Sequence, residues 1–137
     1  MLELDAQATS AAAPEQVWAL LADVRTWPAW ADFDEAGVES GDGRGEVRSF
    51  RRRRVRTRER VTDFEPPRRL GYDLLSGLPI RDYHAEVTLT PKDGGTHIRW
   101  HSTFEAKIPG TGWLVQRSLQ RFVADTAERL ARAAEQS

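Results

Sequence analysis

The stretch Gly112–Ser137, GWLVQRSLQRFVADTAERLARAAEQS, decides the fold. At 100° per residue, one stripe of a helix carries Val115, Leu119, Phe122, Val123, Thr126, Leu130 and Ala133. Charged residues such as Arg117, Arg121 and Glu128 take the opposite side, so the pattern predicts a long amphipathic helix. No other stretch can form a helix of this length, and this one helix must therefore cover most of a sheet.

The rest of the chain is mostly strand-like. Between Leu2 and Phe104, apolar and polar residues alternate, which is typical of strands with one buried face. Pro14 suits the start of the first of two short helices after strand one. Tight turns are indicated at Gly77–Pro79 and at Asp93–Gly95, and a further hairpin turn is predicted near Arg52–Arg54 without a glycine. The order predicts an α+β fold: a curved antiparallel sheet of about seven strands wrapped on the long C-terminal helix.

Composition restricts the class of protein. The chain of 137 residues is expected to form a single domain, residues 1–137, with 39% hydrophobic and 30% charged residues. It has no cysteine, no basic and apolar N-terminal leader, and no apolar run near the roughly 20 residues of a membrane span. We therefore expect a cytoplasmic protein without a membrane span. The net charge of −1 gives no overall attraction for nucleic acid.

Several motifs resemble the START-like (helix-grip, SRPBCC) superfamily, and more closely its polyketide cyclase/dehydrase-type members. These motifs are Ala13–Trp18 with Asp23, Trp27–Trp30, Glu59–Thr62, Pro66–Leu70 with Tyr72, Ser76–Pro79, Gly94–Thr96 and Trp100. The resemblance spans the whole chain and implies a helix-grip fold with a cavity between the concave sheet face and the long helix. It does not fix an activity, because members include carriers, sensors and enzymes.

The predicted inner face supports a cavity on its own terms. It mixes large aromatic residues with a few polar ones, which is typical of a small-molecule pocket, although a filled core with satisfied hydroxyls is the alternative. The predicted ligand-binding residues are Trp18, Thr57, Glu59, Tyr72, Leu74, Tyr83, Trp100, Ser102, Phe104, Leu119, Phe122, Val123 and Thr126.

Glu59 is the most informative polar residue. Alternation places it on the inner face, where burial raises a carboxyl pKa and suits an acid, a base or a ligand anchor. The alternative is a structural ion pair with Arg48 or Arg51. Tyr72 and Tyr83 could donate hydrogen bonds to a ligand carbonyl, or could place their rings in the core. These three residues, Glu59, Tyr72 and Tyr83, are the catalytic candidates.

Other chemistry is less favoured. His84, His97 and His101 fall on the outer face, which argues against a histidine base and against a histidine metal site. No phosphate loop or dinucleotide-binding glycine pattern is present, and no cofactor is expected. The arginine run Arg51–Arg60 is interpreted as a solvated sheet face, with an acidic protein partner as the remaining possibility.

Three functions follow in order of preference. The first is the binding of a small hydrophobic molecule, lipid-, polyketide- or aromatic-like, in the cavity. The second is a cyclase or dehydratase that uses Glu59 and a tyrosine. The third is a protein-interaction module that uses the arginine-rich face. The oligomeric state and the ligand's identity stay open at this point.

Overall fold

A computed structural model describes all 137 residues and confirms the α+β helix-grip architecture. The elements, in chain order, are β1 (Leu2–Ser10), α1 (Pro14–Ala22), a 3-10 turn (Val24–Thr26), α2 (Trp27–Trp30), β2 (Glu35–Ser40), β3 (Val47–Arg52), β4 (Val55–Glu65), β5 (Arg69–Ser76), β6 (Ile80–Lys92), β7 (Gly95–Ala106) and α3 (Gly112–Glu135). No helix is long and apolar enough to cross a membrane.

All seven strands form one antiparallel sheet in the order β1-β7-β6-β5-β4-β3-β2. Hairpins join every sequential pair from β2 to β7, and only the connection from β1 to β2 crosses from one edge to the other. That connection carries α1 and α2 across the concave face. The two short helices are thereby buried against the sheet, which supplies the stability that helices of this length lack alone.

The hairpin between β3 and β4 turns at Arg53 and Arg54, as the sequence predicts. Arg53 adopts a left-handed backbone conformation with φ +58°, which favours glycine in most turns. The carboxylate of Asp34 accepts a 2.6 Å hydrogen bond from the Arg53 backbone N–H and holds this turn in place. The Asp34 side chain thus stabilises a turn that has no glycine.

Two bulges keep the catalytic candidates on the inner face. The β4–β5 pairing steps from Arg58/Ser76 to Glu59/Leu74, so the extra residue is Leu75 on β5 and the alternation of β4 is undisturbed from Val55 to Val61. Glu59 therefore stays inside. On β6 the extra residue is Asp82, with φ +55°, and Tyr83 consequently points inward.

Helix α3 lies along the edge strand β1. The Gln116 side chain donates a hydrogen bond to the Glu3 carbonyl at 2.8 Å. The Gln120 amide donates to the Asp5 carbonyl at 2.9 Å and accepts from the Asp5 N–H at 3.1 Å. These glutamines occupy backbone groups that an edge strand otherwise leaves open to another chain.

The two halves of α3 pack differently. In its C-terminal half, Ala127, Ala131 and Ala134 are buried, and their small side chains let the helix approach its neighbours closely. There the Ser10 hydroxyl donates to the Ala131 carbonyl at 2.8 Å, and α1 fills the space over β6 and β7. The N-terminal half has no such filler beneath it.

We expect Gln120→Ala to lower the free energy of unfolding by about 1 to 2 kcal/mol, because two hydrogen bonds to β1 are lost. Gln116→Ala, which loses one, is the matched variant and should cost about half as much. Urea unfolding followed by circular dichroism measures both. Equal stability of Gln120→Ala and the parent protein would show that these contacts do not hold the helix.

Candidate ligand-binding site

A cavity of about 700 Å³ lies between the concave sheet face and the N-terminal half of α3. It exists because α1 fills the concave face at one end only, while a single helix along β1 cannot reach the central strands at the other. The wall includes twelve hydrophobic residues among 21. The cavity is therefore lined as the sequence predicts, by apolar side chains with a few polar groups.

Ten of the predicted ligand-binding residues line this cavity: Thr57, Glu59, Tyr72, Leu74, Tyr83, Trp100, Leu119, Phe122, Val123 and Thr126. They come from β4, β5, β6, β7 and α3, so the topology brings together residues that are far apart in sequence. Their role in binding a ligand stays a prediction.

Trp18, Ser102 and Phe104, which are also predicted to bind the ligand, are not among the residues that line this cavity. Trp18 belongs to α1, the filled end, and packs edge-on against Phe64 with ring centroids 5.2 Å apart. Phe104 has no exposed surface and lies beneath the Tyr83 ring, 6.0 Å between centroids. Ser102 is covered by the Tyr83 hydroxyl, which lies 3.0 Å from its Oγ.

The sequence reasoning missed an aromatic wall from the β1–β2 connection. Trp27 packs against Trp100, with centroids 6.0 Å apart, and against Phe50 at 5.3 Å. Phe33 meets Phe122 of α3 edge-on at 5.6 Å. The available signal was Trp27 itself, because a large aromatic residue in a helix too short to be stable alone must pack on something else.

The two tyrosines form the polar part of the wall. The Trp100 indole N–H donates to the Tyr72 hydroxyl at 3.1 Å, and the Tyr83 hydroxyl is hydrogen-bonded to Ser102. Burial raises the pKa of Tyr83 to about 12 and holds the pKa of Tyr72 well above its usual value. Both phenols are therefore neutral near pH 7, and the Tyr72 hydroxyl keeps its own hydrogen for donation.

Glu59 faces the cavity without a hydrogen bond or ion pair from the protein. Arg48 stands directly opposite it on β3, but its guanidinium is already engaged. It contacts Glu46 at 2.6 Å and donates to the carbonyls of Leu21 and Ala22 at the end of α1. Arg48 thus satisfies the carbonyls that a helix C-terminus leaves open.

The alternative of a structural ion pair for Glu59 is therefore not realised. Arg51, the other proposed partner, points to the outer face and pairs with Glu35 at 3.3 Å. Burial raises the pKa of Glu59 to about 8, and the charge of Arg48 offsets only part of this effect. Some of the side-chain surface remains accessible because it faces the cavity. Near pH 7 the Glu59 carboxyl is mostly protonated and can donate a hydrogen bond.

Thr126 is buried at the inner end of the helix wall. Its hydroxyl donates to the Phe122 carbonyl one turn earlier, at 2.8 Å. The hydrogen is thus used within α3, and only the oxygen lone pairs are left to meet a ligand.

The three histidines lie on the outer face, as predicted. Their partners are Asp73 for His84, Gln7 for His97 and Glu3 for His101. Asp63, His84 and Glu86 have ligand atoms within 4.8 Å of one another on this face. The guanidinium of Arg69 already contacts both carboxylates, so it occupies the place of a cation there.

The arginine-rich face is partly balanced by acidic residues. Arg58 forms a two-pronged contact with Glu39 at 2.9 to 3.1 Å, and Arg51 contacts Glu35 at 3.3 Å. These pairs favour a structural role for this face. A protein partner on it stays a prediction.

The fold and the cavity together define a START-like, helix-grip domain. A START superfamily protein from Mycobacterium smegmatis has the same fold, with a TM-score of 0.84 at 15% identity over 98% of this chain and 97% of that one. The Zhui aromatase/cyclase from Streptomyces sp. R1128 gives 0.86 at 16%, covering 98% and 94%. The protein XoxI from Bacillus cereus gives 0.84 at 18%, covering 97% and 95%.

The family follows from the sequence itself. Residues 1–135 match the model of the family described as polyketide cyclase/dehydrase and lipid transport, and the chain belongs to that family. No curated protein matches the chain. The predicted resemblance is confirmed, while the solved structures, at these identities, establish the fold alone.

The raised pKa of Glu59 predicts how stability depends on pH. Between about pH 4.5 and 8 the folded state keeps a proton that the unfolded state has lost, so stability falls as pH rises. Glu59→Gln cannot titrate and should gain stability relative to the parent over this window. The gain should reach a few kcal/mol by pH 9, because one pKa unit corresponds to about 1.4 kcal/mol.

Urea unfolding at pH 5, 7 and 9 measures this difference. Glu128→Gln on the exposed side of α3 is the matched control and should run parallel to the parent protein. A Glu59→Gln curve that also runs parallel would mean that Glu59 is ionised in the folded protein at neutral pH.

Proposed function

We propose that the protein binds a small, largely apolar molecule in the cavity between its sheet and α3. The observation that carries this proposal is the space of about 700 Å³, which falls within the usual range of about 300 to 1,000 Å³ for small-molecule sites. Protein interiors are normally close-packed, so stability of the fold does not require a space of this volume. The family's description, which includes lipid transport, supports the proposal.

The polar wall restricts the ligand's chemistry. A protonated Glu59 and the Tyr72 hydroxyl both offer hydrogens toward the cavity, whereas Thr126 offers only lone pairs. A ligand that matches this wall carries a carbonyl or ether oxygen facing β4 and β5 and an apolar body against Phe122, Leu119 and Trp27. A carboxylate at the Glu59 end is disfavoured, because its charge would be buried without a free cation to pair with it.

Thr126→Leu tests the binding proposal. The larger side chain enters the cavity and should weaken binding of Nile red, a neutral apolar probe, by tenfold or more. Stability should be kept or raised, because leucine favours the helix and the replaced hydroxyl bonds only to its own helix. Fluorescence titration measures the affinity.

Thr103→Leu is the matched control, because it makes the same substitution on the outer face of β7 and should leave the affinity unchanged. Equal affinities of the Thr126→Leu and Thr103→Leu variants would contradict binding in the cavity. Native mass spectrometry of the purified protein then identifies any molecule that is retained.

A second candidate is an acid-catalysed dehydration or cyclisation of a polyketide-like or aromatic substrate. The observation that favours it is a carboxyl with a pKa near 8, unpaired, beside two neutral phenols in one cavity. Glu59 would give its proton to a leaving hydroxyl, which departs as water, and the carboxylate would then take a proton from the adjacent carbon. The Zhui aromatase/cyclase, which has the same fold, supports this candidate.

Glu59→Gln separates the two candidates. For an enzyme, this change should lower kcat by a hundredfold or more, and the parent's kcat should decline above about pH 8 as the acid ionises. Turnover of a poly-β-keto thioester, followed by mass spectrometry, measures both effects. Unchanged turnover in Glu59→Gln would rule out this mechanism, and the Glu128→Gln variant controls for the loss of a carboxylate.

A further inference from the structure

The β7–α3 connection and the first turn of α3 expose an unusual group of large apolar side chains. Trp113 is 65% exposed, Leu114 57% and Ile108 56%. The other four tryptophans of the chain are buried. Single exposed apolar residues need no explanation, but adjacent ones that include a tryptophan mark a contact surface.

These residues border the mouth of the cavity. Leu114 lines the cavity together with Leu78 and Val55, and Val55 is itself 46% exposed. A hydrogen bond from the Lys107 N–H to the Pro79 carbonyl joins the β7–α3 connection to the β5–β6 turn. The apolar rim, as we define it, consists of Val55, Leu78, Ile108, Trp113 and Leu114.

The segment that joins β7 to α3 and begins α3 carries charge of one sign. Residues 106–124 contain three cations, Lys107, Arg117 and Arg121, and no acidic residue. None of the three forms an ion pair, whereas the flanking acids Glu105 and Asp125 contact Arg81 and Arg129. The segment that carries Ile108, Trp113 and Leu114 therefore presents three cations that form no ion pair within the protein.

We propose that the apolar rim docks the protein on the surface of an anionic lipid bilayer, with the cavity mouth facing the membrane. Tryptophan is favoured at the boundary between headgroups and acyl chains, and basic residues beside it contact anionic headgroups. Each cation near such a surface strengthens binding about fivefold. In this orientation an apolar molecule passes between bilayer and cavity without crossing bulk water.

A second copy of the chain is a poorer occupant of this surface. A two-fold contact centred on the rim would bring Lys107, Arg117 and Arg121 of both copies together without acidic partners. An anionic bilayer supplies the complementary charge that a second copy lacks.

Trp113 is a natural probe for the test, because it is the exposed tryptophan. The parent protein is mixed with vesicles of POPC alone or of POPC and POPG at 7:3, at low and at high salt. With POPG, we expect co-sedimentation, a blue shift of tryptophan emission and quenching by brominated acyl chains. Binding should fall at least tenfold without POPG or at high salt.

Two variants locate the surface. Trp113→Ala should bind these vesicles at least tenfold more weakly and lose the blue shift. Lys107→Gln combined with Arg117→Gln should weaken binding about 25-fold, from two cations at about fivefold each. Arg25→Gln combined with Arg44→Gln removes the same charge from exposed arginines outside the rim and should leave binding nearly unchanged.

Several outcomes would overturn the proposal. One is no binding to POPG vesicles by the parent protein, and another is equal binding by the Lys107/Arg117 and Arg25/Arg44 variants. A third is a dimer in analytical ultracentrifugation that Trp113→Ala converts to monomer, which would assign the rim to a second copy. Nile red binding is measured separately, so failure on vesicles leaves the cavity proposal standing.

Discussion

The attachment of α3 to the edge strand β1 is the constraint on which the rest of the structure depends. A helix of 24 residues is about 36 Å long and a strand of nine residues about 30 Å, so the two can run side by side over nearly their full length. Contacts of Gln116 and Gln120 near one end and of Ser10 near the other fix this alignment. A helix held at an edge cannot also lie over the middle of a seven-stranded sheet.

The central strands must then be covered by something else, and the chain covers only part of them. The crossing from β1 to β2 places α1 over one end, where Val17 and Leu21 are fully buried. At the other end only the short α2 and the Phe33 segment reach inward, as a side wall. The cavity is thus a consequence of chain length and connectivity, and its position follows from where α1 stops.

The same crossing determines the chemistry inside. The last carbonyls of α1 need a donor, as at any helix end, and Arg48 of β3 supplies it while also contacting Glu46. Glu59 is left with no partner, although a cation lies opposite it in the sheet. The unusual pKa of the cavity carboxyl therefore depends on how a helix outside the cavity is terminated.

These relations show which features could be predicted from sequence. Period-two alternation on β4 and β5 placed Glu59 and Tyr72 correctly, because each bulge falls where it leaves their faces unchanged. Alternation shows which residues face the inner side of the sheet, but not which of them are covered by other side chains. Phe104 was therefore predicted to line the cavity, whereas it lies beneath the Tyr83 ring. Arg48 binds the backbone carbonyls of Leu21 and Ala22 instead of the Glu59 carboxyl. A pattern of side chains in the sequence cannot predict such a contact with backbone groups. Trp27 was recognised only as part of a motif and not as a residue of the cavity wall. Its position against Trp100 depends on the path of the connection from β1 to β2, which the sequence pattern does not give.

The cavity and its mouth differ in electrostatic character, and this difference gives them separate tasks. On the sheet side of the cavity, Glu59, Tyr72 and Tyr83 are neutral near pH 7, because burial raises the pKa of each of them. At the mouth, Arg117 and Arg121 carry unpaired positive charge next to exposed apolar residues. A neutral interior favours an uncharged ligand, whereas a cationic, apolar mouth favours an anionic and partly apolar surface. Helix α3 contributes to both regions, because some of its side chains line the cavity and others lie at the cavity mouth.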